Sequence, residues 1–254
     1  MLVLFFLGLI VGSFLNVVVY RYNTGHSING RSKCLSCVRT LSWYELVPVF
    51  SYMAVGGKCR TCLSTISAQY PLVELVTGIL FAAVWLTSYT LFVKVYALVA
   101  FCILVVISAY DFRHTIIPDG PVFAFIAMSF IKLFFEGSFD FVTFISGTII
   151  ALFFASMWYF SGGSWMGFGD AKLALGIGWF IPFPFNVTAI IFAFWIGAVI
   201  GVLMLGLPLV LKKISVAAGL VKGRTRASLS TEIPFAPYLA LGAFITFIYP
   251  LFLW

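Results

Sequence analysis

Two aspartates, Asp111 and Asp170, adjoin apolar runs in a chain that has only 8 acidic residues among 254. Asp111 lies in SAYDFRHTIIPDG (108–120), and Asp170 lies in GFGDAKL (167–173). A carboxylate at the margin of a bilayer is costly, so acids in such places usually serve a function. Two carboxylates that share one proton carry out the chemistry of aspartic proteases. Acid–base hydrolysis by this pair is therefore the first hypothesis.

The two aspartates differ in their surroundings. Asp170 ends the tetrapeptide GxGD, in which Gly167 and Gly169 permit close backbone approach at the entrance of a helix. The first turn of a helix favours a negative charge, so we expect Asp170 to stay ionised. Asp111 follows an apolar run at the C-terminal end of a helix, where the protonated acid is favoured. A plain helix-terminal acid is the alternative for each residue.

Several polar residues accompany the pair. Asp119 is interpreted as a capping acid at the start of the next helix, with a supporting role in the active site as the alternative. Lys172 is expected to face away from Asp170 and to extend to the surface. We expect Arg113 and His114 to line the same mouth, with His114 a polar interface residue and not a ligand.

Four of the five cysteines form two pairs, Cys34-Leu-Ser-Cys37 and Cys59-Arg-Thr-Cys62. Two pairs with this spacing supply the four thiolates of a tetrahedral zinc site. Two disulfides are the alternative, but the topology derived below places these residues in a reducing compartment, where disulfides rarely persist. A zinc ion would also stabilise a loop that is too small for a hydrophobic core of its own. We identify no internal repeat in the chain.

The composition predicts an all-α, polytopic membrane protein. Apolar residues make up 63% of the chain and charged residues 9%, whereas a soluble domain has about 25% charged residues. The apolar runs are continuous and do not alternate with polar residues, which excludes a membrane β-barrel. Runs of spanning length predict about eight transmembrane helices, near 1–20, 71–93, 95–111, 118–135, 141–160, 170–181, 187–211 and 233–254.

The distribution of basic residues predicts the orientation. No basic residue precedes the first apolar run, which indicates a retained span with its N-terminus outside and not a removable signal peptide. Twelve of the 15 lysines and arginines then fall in inside segments: six in 21–70, one in 112–117 and five in 212–232. Both aspartates are thereby placed at the cytoplasmic face. The net charge of +7 fits anionic lipid headgroups, so no nucleic-acid partner is needed.

Two other classes of protein compete with a protease. In an ion-coupled transporter the two aspartates would bind ions at a broken helix, but such sites lie near the bilayer midplane and not at one face. A membrane scaffold with a zinc-binding loop would leave the acids unexplained. The chain has no strand–GxGxxG–helix pattern, so a Rossmann-type cofactor site is not predicted.

The motifs taken in order resemble those of the type IV prepilin peptidases, membrane aspartic proteases of the GxGD type. The resemblance covers nearly the whole chain, and it implies that Asp111 and Asp170 are the catalytic pair. It also implies substrates, the prepilins and pseudopilins of a bacterial inner membrane, cut after a glycine just ahead of an apolar helix. The segments that carry it are GSFLNVVVYR (12–21), both cysteine pairs, PVFSYMAVGGKCRTC (48–62), ISAQYPLVELVTG (66–78), the Asp111 segment and GFGDAKLALGIG (167–178).

The same resemblance implies a second activity, methylation of the new N-terminal amine with S-adenosylmethionine as the donor. It divides the chain into a first transmembrane helix (1–20), a zinc-binding cytoplasmic loop for methyl transfer (21–70) and a peptidase domain (71–254). Glu45 and Glu74 are candidates to orient the cationic donor or to accept the proton of the amine. As alternatives, Glu45 is a solvated loop residue and Glu74 a helix-start acid that pairs with a base.

Overall fold

The computed structural model describes residues 1–24, 30–135, 137–217 and 234–248, with the backbone alone from 205 to 217. Within these ranges the protein is α-helical and has no strand. The predicted all-α class is confirmed. The helices are α1 (Leu2–Arg21), α2 (Phe50–Ala54), α3 (Gln69–Leu86), α4 (Leu91–His114), α5 (Asp119–Lys132), α6 (Phe141–Ser161), α7 (Phe168–Phe180), α8 (Phe185–Ala217) and α9 (Ala236–Ile248).

The described helices differ in length relative to a bilayer. Five of them, α1, α3, α4, α6 and the first 20 residues of α8, are long and apolar enough to cross a membrane. The helices α5, α7 and α9 have 13 or 14 residues each. The membrane fold is confirmed, and the number of eight spans stays a prediction. Most of the predicted basic loop at 212–232 lies outside the described residues.

Helix α4 is longer than the sequence prediction of 95–111. It begins after Thr90, whose extended backbone caps the helix, and it ends at Thr115, which adopts a left-handed conformation with φ of 52°. The N–H of Thr115 donates to the carbonyl oxygen of Asp111 at 2.7 Å. Asp111 is therefore one turn inside the helix and is not its last residue, which fixes the direction of its side chain.

Glycines allow two pairs of helices to meet backbone to backbone. A Cβ atom at Gly12 of α1 would lie 2.7 Å from the Cα atom of Glu74 in α3. A Cβ atom at Gly178 of α7 would lie 2.6 Å from the Cα atom of Gly147 in α6. Lipid provides no hydrophobic drive for helix association, so close van der Waals packing at small residues contributes most of the attraction. The sequence therefore specifies α1 with α3 and α6 with α7.

Aromatic side chains join the middle of α4 to the C-terminal ends of α7 and α9 in the core. Phe101 of α4 packs edge-on against Phe180 of α7, with ring centres 5.7 Å apart, and against Phe247 of α9 at 5.3 Å. All three side chains are buried. This cluster holds three helices together on the side of the core away from Asp111, so their other ends are fixed relative to one another.

Candidate active site

Asp111 is buried in the last turns of α4, with 4% of its surface exposed. Its Oδ2 atom accepts a hydrogen bond from the backbone N–H of Ala236 at 3.1 Å. Ala236 is the first residue of α9 and is itself fully buried. A residue 125 positions along the chain thus holds one oxygen of the carboxylate.

Asp170 is the third residue of α7 and is 7% exposed. The helix begins after Gly167, and the N–H of Asp170 donates to the carbonyl oxygen of that glycine at 3.2 Å. A Cβ atom at Gly169 would lie 2.8 Å from Cβ of Ile117, so glycine is required where α7 meets the segment that follows α4. Among the described residues, no group donates to the buried Oδ1 atom of Asp170.

The fold brings the two carboxylates together. Asp111 and Asp170 come from different helices, and their charges interact directly. Both are buried, and a buried carboxylate oxygen that lacks a partner calls for a proton, a water molecule or a bound ligand. Two acids in this arrangement share a proton readily, because both cannot ionise at low cost. The pair is therefore equipped for general acid–base chemistry.

Asp119 and Lys172 form an ion pair that links α5 to α7. The ammonium group of Lys172 also lies 5.4 Å from the ring centre of Phe123 and 5.7 Å from that of Phe168. The Asp119 side chain is 65% exposed, so this pair lies on the rim near Asp170. Lys172 is thus engaged with an exposed acid of a neighbouring helix, and the expectation that it faces away from Asp170 and extends to the surface stays a prediction.

Arg113 lies on the other side of α4. Its guanidinium group is 4.0 Å from the ring centre of Tyr20 at the end of α1. Tyr20 in turn stacks on Tyr70 of α3, with ring centres 4.5 Å apart. The ring of His114 packs against that of Tyr110. Arg113 therefore faces the first helices and the cysteine loop.

The four paired cysteines converge. Their sulfur atoms all lie within 4.8 Å of one another, and the Sγ atoms of Cys34 and Cys62 are 3.8 Å apart. Zinc–sulfur bonds of about 2.3 Å in a tetrahedron place the sulfurs roughly 3.8 Å apart. The cluster therefore fits a tetrahedral metal, and the described cysteines form no disulfide.

Local hydrogen bonds prepare two of these thiols for a metal. The backbone N–H groups of Cys37 and Ser36 lower the pKa of Cys34 to about 6. The hydroxyl and backbone of Ser64 lower the pKa of Cys62 below its usual value. Since the thiolate is the form that binds a metal, these contacts favour binding near neutral pH.

The two cysteine pairs are a structural repeat. Lys33 bridges to Thr40, and Lys58 bridges to Thr65, in the same antiparallel manner. Each unit also has a positive φ at the residue after its second cysteine, 58° at Val38 and 57° at Leu63. The prediction of no internal repeat is wrong at this scale. The pattern Lys-Cys-x-x-Cys-x-x-Thr, present at 33–40 and 58–65, was the available signal.

A cavity of about 930 Å³ separates the cysteine loop from the first membrane helices. This volume is in the range of sites for small molecules. Tyr20 and Tyr70 present their rings there, and Glu45 and Glu74 supply the carboxylates. The lining is otherwise strongly basic: Arg21, Arg31, Lys33, Arg39, Lys58, Arg60 and Arg113.

Comparison with known proteins assigns the chain to a family. Residues 6–88 match the model of the bacterial peptidase A24 N-terminal domain, and residues 98–202 match that of the type IV leader peptidase family. A protein of Bacillus subtilis (strain 168) named prepilin leader peptidase/N-methyltransferase is 30% identical over 250 residues, which cover 97% of this chain and 93% of that protein. The chain belongs to the type IV leader peptidase family.

Two further relatives have the same name. The protein of Myxococcus xanthus is 36% identical over 210 residues, which are 80% of this chain and 62% of that relative, less than two thirds of its length. The protein of Pseudomonas aeruginosa is 29% identical over 273 residues, which cover 96% of this chain and 88% of that protein. No solved structure shows a significant match.

Both acids proposed for methyl transfer already have partners. Oε2 of Glu45 accepts the backbone N–H of Ser42 at 2.9 Å, and Oε1 pairs with Arg39 at 2.7 Å. These contacts hold the pKa of Glu45 below its usual range. Because only 6% of its side chain is exposed, the alternative of a solvated loop acid is wrong.

Glu74 connects a membrane helix to the cysteine loop. It is 7% exposed, and its Oε2 atom accepts the backbone N–H of Val49 at 2.7 Å. Val49 has φ of 61°, a conformation that is costly for a β-branched residue. The carboxylate thus stabilises the turn that starts α2, and it also lines the cavity.

Sequence reasoning missed the contacts from Ala236 and from the stacked tyrosines. The donor of Ala236 is a backbone amide, which every residue except proline carries, so its type gave no signal. Tyr20 and Tyr70 did carry one, because tyrosines at the ends of membrane helices often lie at the membrane interface. Both features lie beside residues proposed for chemistry.

Proposed function

We propose that this protein removes the leader peptide of type IV prepilins and pseudopilins after a glycine, with Asp111 and Asp170 as the catalytic pair. One observation carries the proposal: two buried carboxylates from α4 and α7 interact, and Oδ1 of Asp170 lacks a partner among the described residues. Membership of the leader peptidase family supports the substrate class.

The chemistry follows from two acids that hold one proton between them. The ionised carboxylate takes a proton from water, which then attacks the carbonyl carbon of the scissile bond. The protonated acid donates a hydrogen bond to the carbonyl oxygen and supports its developing charge. Collapse of the tetrahedral intermediate delivers a proton to the leaving amine. Gly167 lets the substrate backbone approach Asp170 closely, whereas Gly169 is needed where α7 packs on Ile117.

We propose that the reaction takes place at the cytoplasmic face of a bacterial inner membrane. The basic residues concentrate in the inside segments, and they support an outside N-terminus. In this arrangement residues 21–70 form the cytoplasmic loop after the first helix (1–20), and 71–254 carry the peptidase. The lipid bilayer itself holds the apolar helix of the substrate against the enzyme.

Purified protein in detergent, incubated with a purified prepilin, tests the peptidase. Asp111→Asn and Asp170→Asn should each lower cleavage by at least about 100-fold, the range of a lost general acid or base. Asp140→Asn is the matched control, because Asp140 only caps α6 through the N–H of Thr143. Substantial turnover by either of the first two variants would remove that aspartate from the catalytic pair.

A second activity, N-methylation of the new amine, is proposed for the cavity beneath the cysteine loop. S-adenosylmethionine, when bound, supplies a methyl group on a positively charged sulfonium. The volume of about 930 Å³ suits such a ligand. Tyr70 lines the cavity beside Tyr20, and Glu74 provides a carboxylate to orient the donor or to accept the proton of the amine.

Binding of the donor product to the purified protein tests this activity without turnover. S-adenosylhomocysteine should bind the protein in calorimetry, and Tyr70→Ala should weaken that binding. In parallel, mass spectrometry of a cleaved pilin should show one added methyl group when the donor is present. Complete cleavage with no added methyl and no binding would leave a peptidase alone.

We further propose that Cys34, Cys37, Cys59 and Cys62 hold one structural Zn²⁺. The mutual sulfur distances within 4.8 Å support this assignment. The metal would fix the two repeat units of the loop and thereby the outer wall of the cavity.

A further inference from the structure

The N-terminus of α9 touches the proposed catalytic pair through its backbone. We propose that the N–H of Ala236 is a positioning group for the peptidase reaction, holding Asp111 by Oδ2 so that the other oxygen serves the water and Asp170. This inference rests on the proposed peptidase function. The hydrogen bond measures 3.1 Å, and both residues are buried.

Helix geometry explains why this particular amide is available. The first N–H groups of a helix have no acceptor within the helix, and together they carry partial positive charge. Asp111 lies near the C-terminal end of its own helix, α4, where the dipole opposes a negative charge. The N-terminus of α9 offsets that effect and provides a directed donor, so it both favours and orients the carboxylate.

The donor is held on a rigid element. Ala236, Leu239 and Ala243 of α9 are fully buried, and the helix contacts α4, α7 and α8. A Cβ atom at Gly242 would lie 2.2 Å from the carbonyl oxygen of Ala189 in α8, so these two helices meet at the backbone. A donor fixed by packing holds its acceptor more accurately than a side chain on a loop.

The contact makes the two carboxylates unequal. Oδ2 of Asp111 has a fixed donor, whereas Oδ1 of Asp170 has none among the described residues. The shared proton and the attacking water therefore belong to the oxygens that Ala236 does not hold. If the contact served only to cap α9, its loss would lower stability and leave the chemical step unchanged.

Lactic acid incorporated at position 236 removes this donor selectively, because it replaces the N–H with an ester oxygen and keeps the methyl side chain. Ala236→Pro is not selective, because its ring carbon would take the place of the hydrogen and clash with Oδ2 of Asp111, 3.1 Å from the nitrogen. Ala236→Gly is the matched control, because it retains the N–H and removes only a methyl group. Both variants are assayed in detergent for kcat and KM on a prepilin, and for melting temperature.

Positioning predicts that the ester at position 236 lowers kcat by about 10–100-fold relative to Ala236→Gly, the effect of one hydrogen bond to a charged group. KM should stay within roughly twofold, because the contact acts on the reaction and not on substrate binding. A kcat within about twofold of the glycine variant, or an effect confined to KM, overturns the inference.

Equal melting temperatures of the ester variant and the wild type show that both are folded, so that a change in kcat reports the chemical step. Cleavage by the wild-type protein and by Ala236→Gly tests the peptidase itself. If neither cleaves prepilin, the proposed function fails, and the role of Ala236 fails with it.

Discussion

At the scale of single residues, the hydrogen-bond donors to each buried acid distinguish a structural role from a catalytic one. Glu74 accepts the N–H of Val49, and Asp111 accepts that of Ala236. Asp170 keeps one buried oxygen without a donor among the described residues. Leaving a buried acceptor unpaired costs about 1–3 kcal/mol. We expect an unpaired buried acceptor where a substrate, a proton or water supplies the missing partner.

The rim pair of Asp119 and Lys172 should affect cleavage only modestly. An exposed ion pair contributes about 1 kcal/mol at most, or roughly fivefold in rate. Asp119→Asn and Lys172→Met should therefore each lower kcat/KM by no more than that factor, measured on a prepilin beside Asp170→Asn. A loss as large as that of Asp170→Asn would show that the ion pair takes part in the reaction.

Glu74 should separate the two activities. Glu74→Gln retains an oxygen that accepts the N–H of Val49 but removes the negative charge facing the cavity. Methylation should fall by about 10-fold or more, the lower end for a lost acid–base group, while cleavage persists. Glu45→Gln is the comparison, because its carboxylate is occupied by Arg39. Mass spectrometry of the mature pilin measures both products, and equal loss of cleavage and methylation would contradict this separation.

The residue types of the site could be read from the sequence, and the backbone contacts could not. Two lone aspartates in an apolar chain and two cysteine pairs stand out because acids and paired thiols are rare there. The amide of Ala236 has no such mark. Its contact with Asp111 depends on how α9 packs against α4, which only the folded chain settles.

At the scale of elements, glycines and repeated turns build the protein from pairs. Gly12 brings α1 against α3, and Gly178 brings α7 against α6. The two cysteine units repeat one turn, with matching bridges at Lys33 and Lys58. The helices α1, α3, α6 and α7 were predicted because their apolar runs stand out in the sequence. The end of α4 was misplaced because a left-handed residue, Thr115, terminates it without glycine.

Loss of the metal should loosen the loop and spare the peptidase. Cys37→Ser should lower the bound zinc from one ion per chain to a small fraction, since a tetrahedral site with three thiolates binds less tightly. Limited proteolysis should then cut within 21–70 much faster, while cleavage of prepilin is largely retained. Cys102→Ser is the control, because this half-buried cysteine lies in α4, far along the chain from the cluster. Protein purified without chelators that contains no zinc would dispose of the metal site.

At the scale of the whole molecule, the arrangement would join the two proposed reactions at one membrane face. The cavity under the cysteine loop is lined by Arg113, which is two residues beyond Asp111 in α4. The hydroxyl of Tyr22, just after α1, accepts the N–H of Gly120 in α5. These contacts fix the first unit against the later helices. A substrate held by one protein for both proposed steps would not have to dissociate between them, and such proximity favours the second step.

Labelling of single cysteines should establish the orientation on which this arrangement depends. Ser88 is exposed between α3 and α4, and Ser164 is exposed between α6 and α7, just ahead of Asp170. With an outside N-terminus and each of α1 and α3 to α6 spanning, successive connections lie on opposite faces, so Ser88 and Ser164 lie on opposite sides of the membrane. A membrane-impermeant maleimide should label Ser88→Cys in intact cells, because that connection faces outward. Ser164→Cys should react only after the inner membrane is permeabilised. The reverse result would place both aspartates at the outer face and would separate them from cytoplasmic S-adenosylmethionine.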